Sequence, residues 1–182
     1  MIYLNRIFKG LIPPYLIEII NRAIKSFKKD QLFEGDDNLF KKLCKETQIY
    51  GEYGCGQSTV WISKYTNNLI LSVDTSIYWA EKVKAIILDN KRLRIDFINC
   101  GEISSYGFPK TYSKREEFRN YCNSIWDHPG IFPEIVLIDG RFRISCFLTC
   151  LLKAKVGTKL IFDDYLNRPN YHVVEEYIKP LE

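Results

Sequence analysis

No two cysteines in this chain stand in a CxxC spacing, and only two histidines, His128 and His172, are present. A structural zinc site needs about four such ligands at close spacing, so that class of fold is not expected. The six cysteines (Cys44, Cys55, Cys100, Cys122, Cys146 and Cys150) lie mostly in apolar runs, where a reduced thiol packs as a small hydrophobe. A disulfide scaffold would be smaller and richer in loops. No unbroken apolar run reaches membrane-spanning length: Glu18, Asn21 and Arg22 interrupt the most apolar stretch, Tyr15 to Ile24. The start of the chain has no charged segment leading into an apolar run and a small-residue cleavage site, so a cytoplasmic location is expected. Internal repeats and low-complexity tracts are lacking as well. Charge is nearly balanced, with 26 Lys and Arg against 22 Asp and Glu. That balance, short of a basic stripe, decides little by itself; a nucleic-acid partner is not expected.

What is present fits one folded domain. The chain has 182 residues, 46% of them hydrophobic and 26% charged, enough to bury one core. Residues 1–35 form a separate N-terminal segment. Its second apolar cluster follows Pro13-Pro14 and runs into Lys25, Lys28 and Lys29, which predicts an amphipathic helix starting near Pro14. Such a helix packs on the domain or on a partner, including a second copy of the chain, or lies on an anionic membrane surface.

From residue 36 onward, strands alternate with helices. Asp36-Asp37-Asn38 reads as an N-cap cluster before a helix through Leu39, Phe40 and Leu43. Strands are expected at Ile49–Tyr53, Asn68–Val73, Arg94–Cys100, Glu134–Ile138 and Lys159–Phe162. Helices are expected at Thr59–Tyr65, Ile77–Leu88, Arg115–Trp126, Arg141–Lys155 and Tyr171–Ile178, with Ser113 and Glu116 forming a capping box for the third. Cys146 and Cys150, four apart, share one helix face. Apolar strands alternating with helices indicate a doubly wound α/β domain with a mainly parallel sheet.

In such sheets a ligand sits outside the carboxyl ends of the strands. Those ends carry Glu52-Tyr53-Gly54-Cys55-Gly56, Asp74, Cys100-Gly101-Glu102, Asp139-Gly140 and Asp163-Asp164. Carboxylates at buried strand ends must be solvated, paired or bound to something. Gly54 and Gly56 would permit positive φ and close approach of a ligand to the main chain. Thr59 stands where a dinucleotide fingerprint has its third glycine, which counts against a nicotinamide-dependent oxidoreductase. Asp74 is placed to accept hydrogen bonds from ribose hydroxyls, or to cap the helix that follows Ser76.

The stretch Glu52-Tyr53-Gly54-Cys55-Gly56-Gln57-Ser58-Thr59, an acid followed by glycine-x-glycine, resembles the first motif of class I S-adenosylmethionine-dependent methyltransferases. Asp74 and Asp139 match the acidic positions ending the second and fourth strands of that family. The resemblance spans about residues 36 to 179. It implies that Glu52, Gly54 and Gly56, with Cys55 and Ser58 in the same loop, line the methionine part of the cofactor. It also implies that Asp74 meets the ribose, that Gly101 and Glu102 approach the adenine, and that Asp139 borders the reacting end. The family adds two further strands after the last helix, and this sequence has no room for them before Glu182. The fifth strand would then be exposed unless a partner, such as a second copy, or the N-terminal segment covers it.

Methyl transfer requires alignment of the acceptor and removal of its proton. Asp139 and His172 are the candidate bases. Asp139, Asp163 and Asp164 could instead hold Mg2+ or another divalent cation, as in methyltransferases similar to catechol O-methyltransferase; a turn-capping role for Asp163 or Asp164 is the alternative. Arg141 and Arg143 stand at a helix start, where cations oppose the helix dipole, so each should have a partner, either a nearby acid or an anionic acceptor. The expected acceptor is a small molecule or a glycan-type hydroxyl, with the aromatic and charged segment Tyr106 to Trp126 forming part of its wall. The same fold could also serve as a noncatalytic binding or assembly module.

Overall fold

The structure is a computed structural model, and it describes residues 32–33, 36–87, 91–104 and 108–181. Asp36–Glu182 is one compact unit; the N-terminal helix expected near Pro14 lies outside the described residues. Elements follow in the order α1 (Asn38–Lys45), β1 (Ile49–Tyr53), α2 (Gln57–Tyr65), β2 (Leu69–Asp74), α3 (Ile77–Ile86) and β3 (Leu93–Phe97). Then come α4 (Arg115–Asn123), β4 (Ile135–Ile138), α5 (Arg143–Lys153) and β5 (Lys159–Phe162). Two 3₁₀ segments, Ser124–Trp126 and Pro169–Glu176, complete the described chain. Among the described residues no helix is long and apolar enough to cross a membrane.

The five strands form one sheet in the order β3-β2-β1-β4-β5, and every pairing is parallel. This is the Rossmann-like α/β arrangement. β1, β2 and β4 are interior and almost wholly buried, which their apolar runs require. β3 and β5 lie at the edges, and more of their residues reach solvent.

Alternation along β1 sorts the core into two layers. Tyr53 faces a cluster with Val73, Tyr121, Trp126, Ile138, Cys146 and Phe147 under α4 and α5. Tyr50 and Glu52 point the other way: the Tyr50 ring meets Phe40 edge-on at 6.0 Å, and Ile62 of α2 is fully buried. Each large apolar side chain so buried stabilises the fold by about 1.5–3 kcal/mol relative to exposure. All six cysteines are free and buried, and Cys146 and Cys150 do share the inward face of α5.

Four local expectations are corrected. β3 stops at Phe97 rather than Cys100, because its last ladder bond runs from the Ile98 amide to the Asp74 carbonyl; Gly101 and Glu102 therefore lie in the loop beyond the strand. Ser113 caps nothing: Lys114 is the N-cap of α4 with no side-chain cap bond, and the Ser113 hydroxyl bonds Thr111. That helix also tightens into a 3₁₀ turn after Asn123. Finally, the last helix is 3₁₀ over Pro169–Glu176, with bonds such as Tyr171 N–H to the Arg168 carbonyl. Proline at its start supplies the fixed φ of a first turn.

Candidate functional site

Strand register brings the site together. Tyr53 pairs with Val73 on one side and Ile138 on the other, and Ile138 pairs with Phe162. One residue further on, Gly54, Asp74, Asp139 and Asp163 stand in a row across the carboxyl edge. Three ladder bonds tie this row down: Gly54 N–H to the Val73 carbonyl, Asp139 N–H to Tyr53, and Asp163 N–H to Ile138. The strand order reverses between β1 and β4, so the crevice of a doubly wound sheet opens there.

At that switch point two glycines touch. Gly54 has φ +94°, and a Cβ on it would lie 2.8 Å from the Gly140 Cα. A Cβ on Gly140 would lie 2.7 Å from the Tyr53 carbonyl carbon and 2.2 Å from the Tyr121 hydroxyl oxygen. Gly56 differs from the expectation. Its φ of 178° is extended, which any residue can adopt, and a Cβ there would meet nothing within 4 Å. Its lack of a side chain leaves open space above the loop, where a ligand could reach the main chain.

Glu52 holds this loop from behind. It is fully buried and accepts hydrogen bonds from four hydroxyls: Tyr50 at 2.8 Å, Ser58 at 2.9 Å, Ser72 at 2.9 Å, and Thr59. Burial raises its carboxyl pKa, and the four donors pull against that rise. A carboxylate has about four acceptor positions, so Glu52 has none left for a bound molecule and acts by shaping the loop. Thr59 passes the constraint on, since its oxygen accepts the Gly56 N–H at 2.8 Å. Ser58 is buried against Glu52 in the same way. Thr59, which counted against a dinucleotide cradle, thus has a positive role in this loop.

Asp74 joins the glycine loop to the turn after β2. Its carboxylate accepts the Cys55 N–H at 3.0 Å and the Ser76 N–H at 2.7 Å. Ser76 is the N-cap of α3, so Asp74 is not itself the cap. Two acceptor positions of a carboxylate remain beyond these two amides. Burial raises the Asp74 pKa, and the amide bonds and the Arg141 charge oppose the rise. Cys55 is buried, and desolvation pushes its thiol well up, so it stays protonated and packs on Ala80 and Val83. Gly101 turns the chain at φ +83°, and the exposed Glu102 pairs with Lys110 at 2.9 Å.

The acids beyond β4 and β5 do converge: carboxylate oxygens of Asp139, Asp163 and Asp164 lie within 4.8 Å of one another. Arg143 stands among them. It reaches Asp139 Oδ1 at 2.7 Å, Asp164 Oδ2 at 2.9 Å and Asp163 Oδ2 at 4.0 Å. It also donates to the carbonyls of Asp139, Gly140 and Asp163. Four hydrogen bonds and the neighbouring carboxylates of the acid row thus engage the guanidinium. These residues do not fit a divalent cation while Arg143 holds them, because the guanidinium supplies the positive charge. The acid partner expected for Arg143 is present. Asp139 is pushed up to about 8 by burial and then by the neighbouring Asp163, against the pull of Arg143.

His172 is not aimed into this row. Its ring lies on Tyr165 at 4.7 Å, with Nε2 3.2 Å from the Tyr165 carbonyl oxygen. Tyr171, beside it, faces Phe162 and Arg143 instead.

Sequence reasoning gave Arg143 an acid partner without placing it among Asp139, Asp163 and Asp164, did not see Gly140 pressed on Gly54, and missed the hydroxyl ring around Glu52. Signals existed for two of these. Ser72 is a polar residue inside an apolar strand and so needs a buried partner. Arg143 stands at a helix start, where a cation opposes the dipole and so needs an acid, and Asp139 is near in sequence.

No family model matches the chain, and no curated protein matches it. Among solved structures it is similar to a methyltransferase-like protein from Silicibacter pomeroyi, with 27% identity and a TM-score of 0.64. The match covers 94% of this chain and 82% of that one.

Proposed function

We propose that this chain binds S-adenosylmethionine at the carboxyl ends of β1, β2 and β4 and methylates a hydroxyl of a small-molecule or glycan-type acceptor. The observation that carries the reading is the loop over Gly54, Cys55 and Gly56. It is pressed against Gly140, fastened to Asp74, and open above Gly56. The likeness to a methyltransferase-like structure supports it.

The open main chain at Gly56 would receive the amino-acid part, and Asp74 has acceptor positions for ribose hydroxyls. Gly101 and Glu102 border the adenine side. When bound, the sulfonium supplies an electrophilic methyl group. This chain's part is to hold the acceptor in line, exclude water and accept the acceptor's proton at the Asp139 carboxylate. Glu52 and Arg143 act indirectly, by fixing the loops that do these things.

The test is calorimetric titration with S-adenosylmethionine, S-adenosylhomocysteine and, as control, NAD. Binding of the first two alone is expected. Asp74→Ala should weaken both by about 1–3 kcal/mol, the value of hydrogen bonds to a charged acceptor. Unchanged affinity in a folded Asp74→Ala protein would remove the ribose role.

A pH profile tests the base. An acceptor of protons must be deprotonated, and the Asp139 pKa is raised to about 8. Transfer is therefore expected to climb with pH through about 8 and level off above it, and Asp139→Asn should abolish both the climb and the turnover. A profile flat across the neutral range removes Asp139 as the base.

A noncatalytic binding or assembly module on the same fold is the second reading. It is favoured by one observation: both candidate bases are engaged within the protein, Asp139 by Arg143 and His172 by Tyr165. Cofactor binding without turnover on any hydroxyl acceptor would support it.

A further inference from the structure

Arg141 is a cation at the crevice that has no acid paired with it among the described residues. At the start of α5 a positive side chain opposes the helix dipole, and Arg143 answers that cost with three acids. Arg168, nearby, pairs with Asp164 at 2.8 Å and bonds the Tyr171 hydroxyl. Arg141 has no ion pair or side-chain hydrogen bond among the described residues, and it is exposed. It directly follows Gly140, which packs on the glycine loop, and it is near enough that its charge draws on the Asp74 carboxyl across the crevice.

Its placement is fixed rather than casual. The fully buried Tyr121 hydroxyl accepts the Arg141 backbone N–H at 3.2 Å. Phe142, the next residue, is left-handed at φ 53°, ψ 36°, a conformation that costs a bulky residue energy. Phe142 is kept there by ring contacts with Phe118 at 4.8 Å and Tyr121 at 5.8 Å. A left-handed residue held between the half-buried Phe118 and the buried Tyr121 thus sets the direction of the chain at Arg141.

We infer that Arg141 is the anion-recognising residue of the crevice, pairing with a carboxylate or phosphate carried by the molecule bound there. The inference rests on the cofactor reading only for which molecule that is. The anion is either the amino-acid carboxylate of the cofactor or a charged group on the acceptor, and the shared chemistry is a guanidinium fork on two oxygens.

The experiment titrates three proteins, wild type, Arg141→Gln and Arg141→Lys, each checked for folding by circular dichroism. The probes are S-adenosylmethionine, 5′-methylthioadenosine, which lacks the carboxylate, and inorganic phosphate. If the cofactor carries the anion, Arg141→Gln weakens S-adenosylmethionine by about tenfold or more and leaves 5′-methylthioadenosine unchanged, while Arg141→Lys recovers part of the loss. If the acceptor carries it, nucleoside affinities stay the same, and wild type loaded with S-adenosylhomocysteine binds phosphate while Arg141→Gln does not. Equal behaviour of wild type and Arg141→Gln toward all three probes overturns the inference. A folded wild type that binds neither nucleoside removes the cofactor reading instead, and phosphate binding by the free protein then judges Arg141 alone.

Discussion

Gly140→Ala is expected to destabilise the domain by about 3 kcal/mol or more, although it adds a single methyl group. Overpacking ordinarily costs about 1–3 kcal/mol because side chains can give way. Here two of the three nearest atoms are backbone, the Tyr53 carbonyl carbon at 2.7 Å and the Gly54 nitrogen at 2.8 Å. The third is the Tyr121 hydroxyl at 2.2 Å, on a fully buried ring. Relief requires β1 and β4 to part at the switch point, which breaks the bond from Asp139 N–H to the Tyr53 carbonyl. The measurement is denaturant unfolding, and a loss under about 1 kcal/mol would show that the two loops are not in contact. Gly56→Ser is the companion variant. Extended φ and open space admit the side chain, and serine is a favourable N-cap, so stability should hold. Cofactor affinity should be lost, because the new side chain projects into the crevice.

Glu52→Leu is expected to cost about 4 kcal/mol or more, even though leucine is apolar and the site is fully buried. The penalty comes from the partners left behind. Tyr50, Ser58, Thr59 and Ser72 are all buried, and each would lose its acceptor. A buried polar group without a partner costs about 1–3 kcal/mol. Set against a typical domain stability of about 5–15 kcal/mol, that leaves little margin. Glu52→Gln should cost less, since its amide still offers one acceptor oxygen and can donate to hydroxyls that turn round. Adding Ser72→Val to Glu52→Leu should recover part of the loss, because it removes one stranded group. If Glu52→Leu and Glu52→Gln unfold at the same denaturant concentration, the hydroxyl ring is not what holds the loop.

The sheet was legible because its evidence is local. Ile49–Tyr53 and Ile135–Ile138 stand within the apolar runs that predict them, since a buried parallel strand must be apolar on both faces. The end of β3 was misplaced because edge strands lack that constraint, and an apolar Ile98 cannot say whether a neighbour pairs with it. Asp74 was legible as a strand-end acid, but its amide partners were not, as they depend on the path of the loop from Gly54. Gly56 carries the same residue letter as Gly54 for a different physical reason: one needs its backbone angle, the other leaves room. The acid row was visible in sequence, yet its partner was ambiguous. Three carboxylates fit a metal or an arginine equally well until Arg143 is placed.

The position of β1 between β2 and β4 has a kinetic consequence. Its partner on one side is the next strand in the chain, while on the other side lie α2, β2, α3, β3 and α4 before β4 is reached. Closing that longer loop costs more chain entropy, so the seam between β1 and β4 is the slowest pairing to complete. Gly54 and Gly140 meet only across this seam, so the crevice does not exist in a half-assembled sheet. A molecule bound there contacts both halves of the native state and neither half alone. It therefore lengthens the lifetime of the folded chain by slowing unfolding, and leaves the rate of assembly as it was.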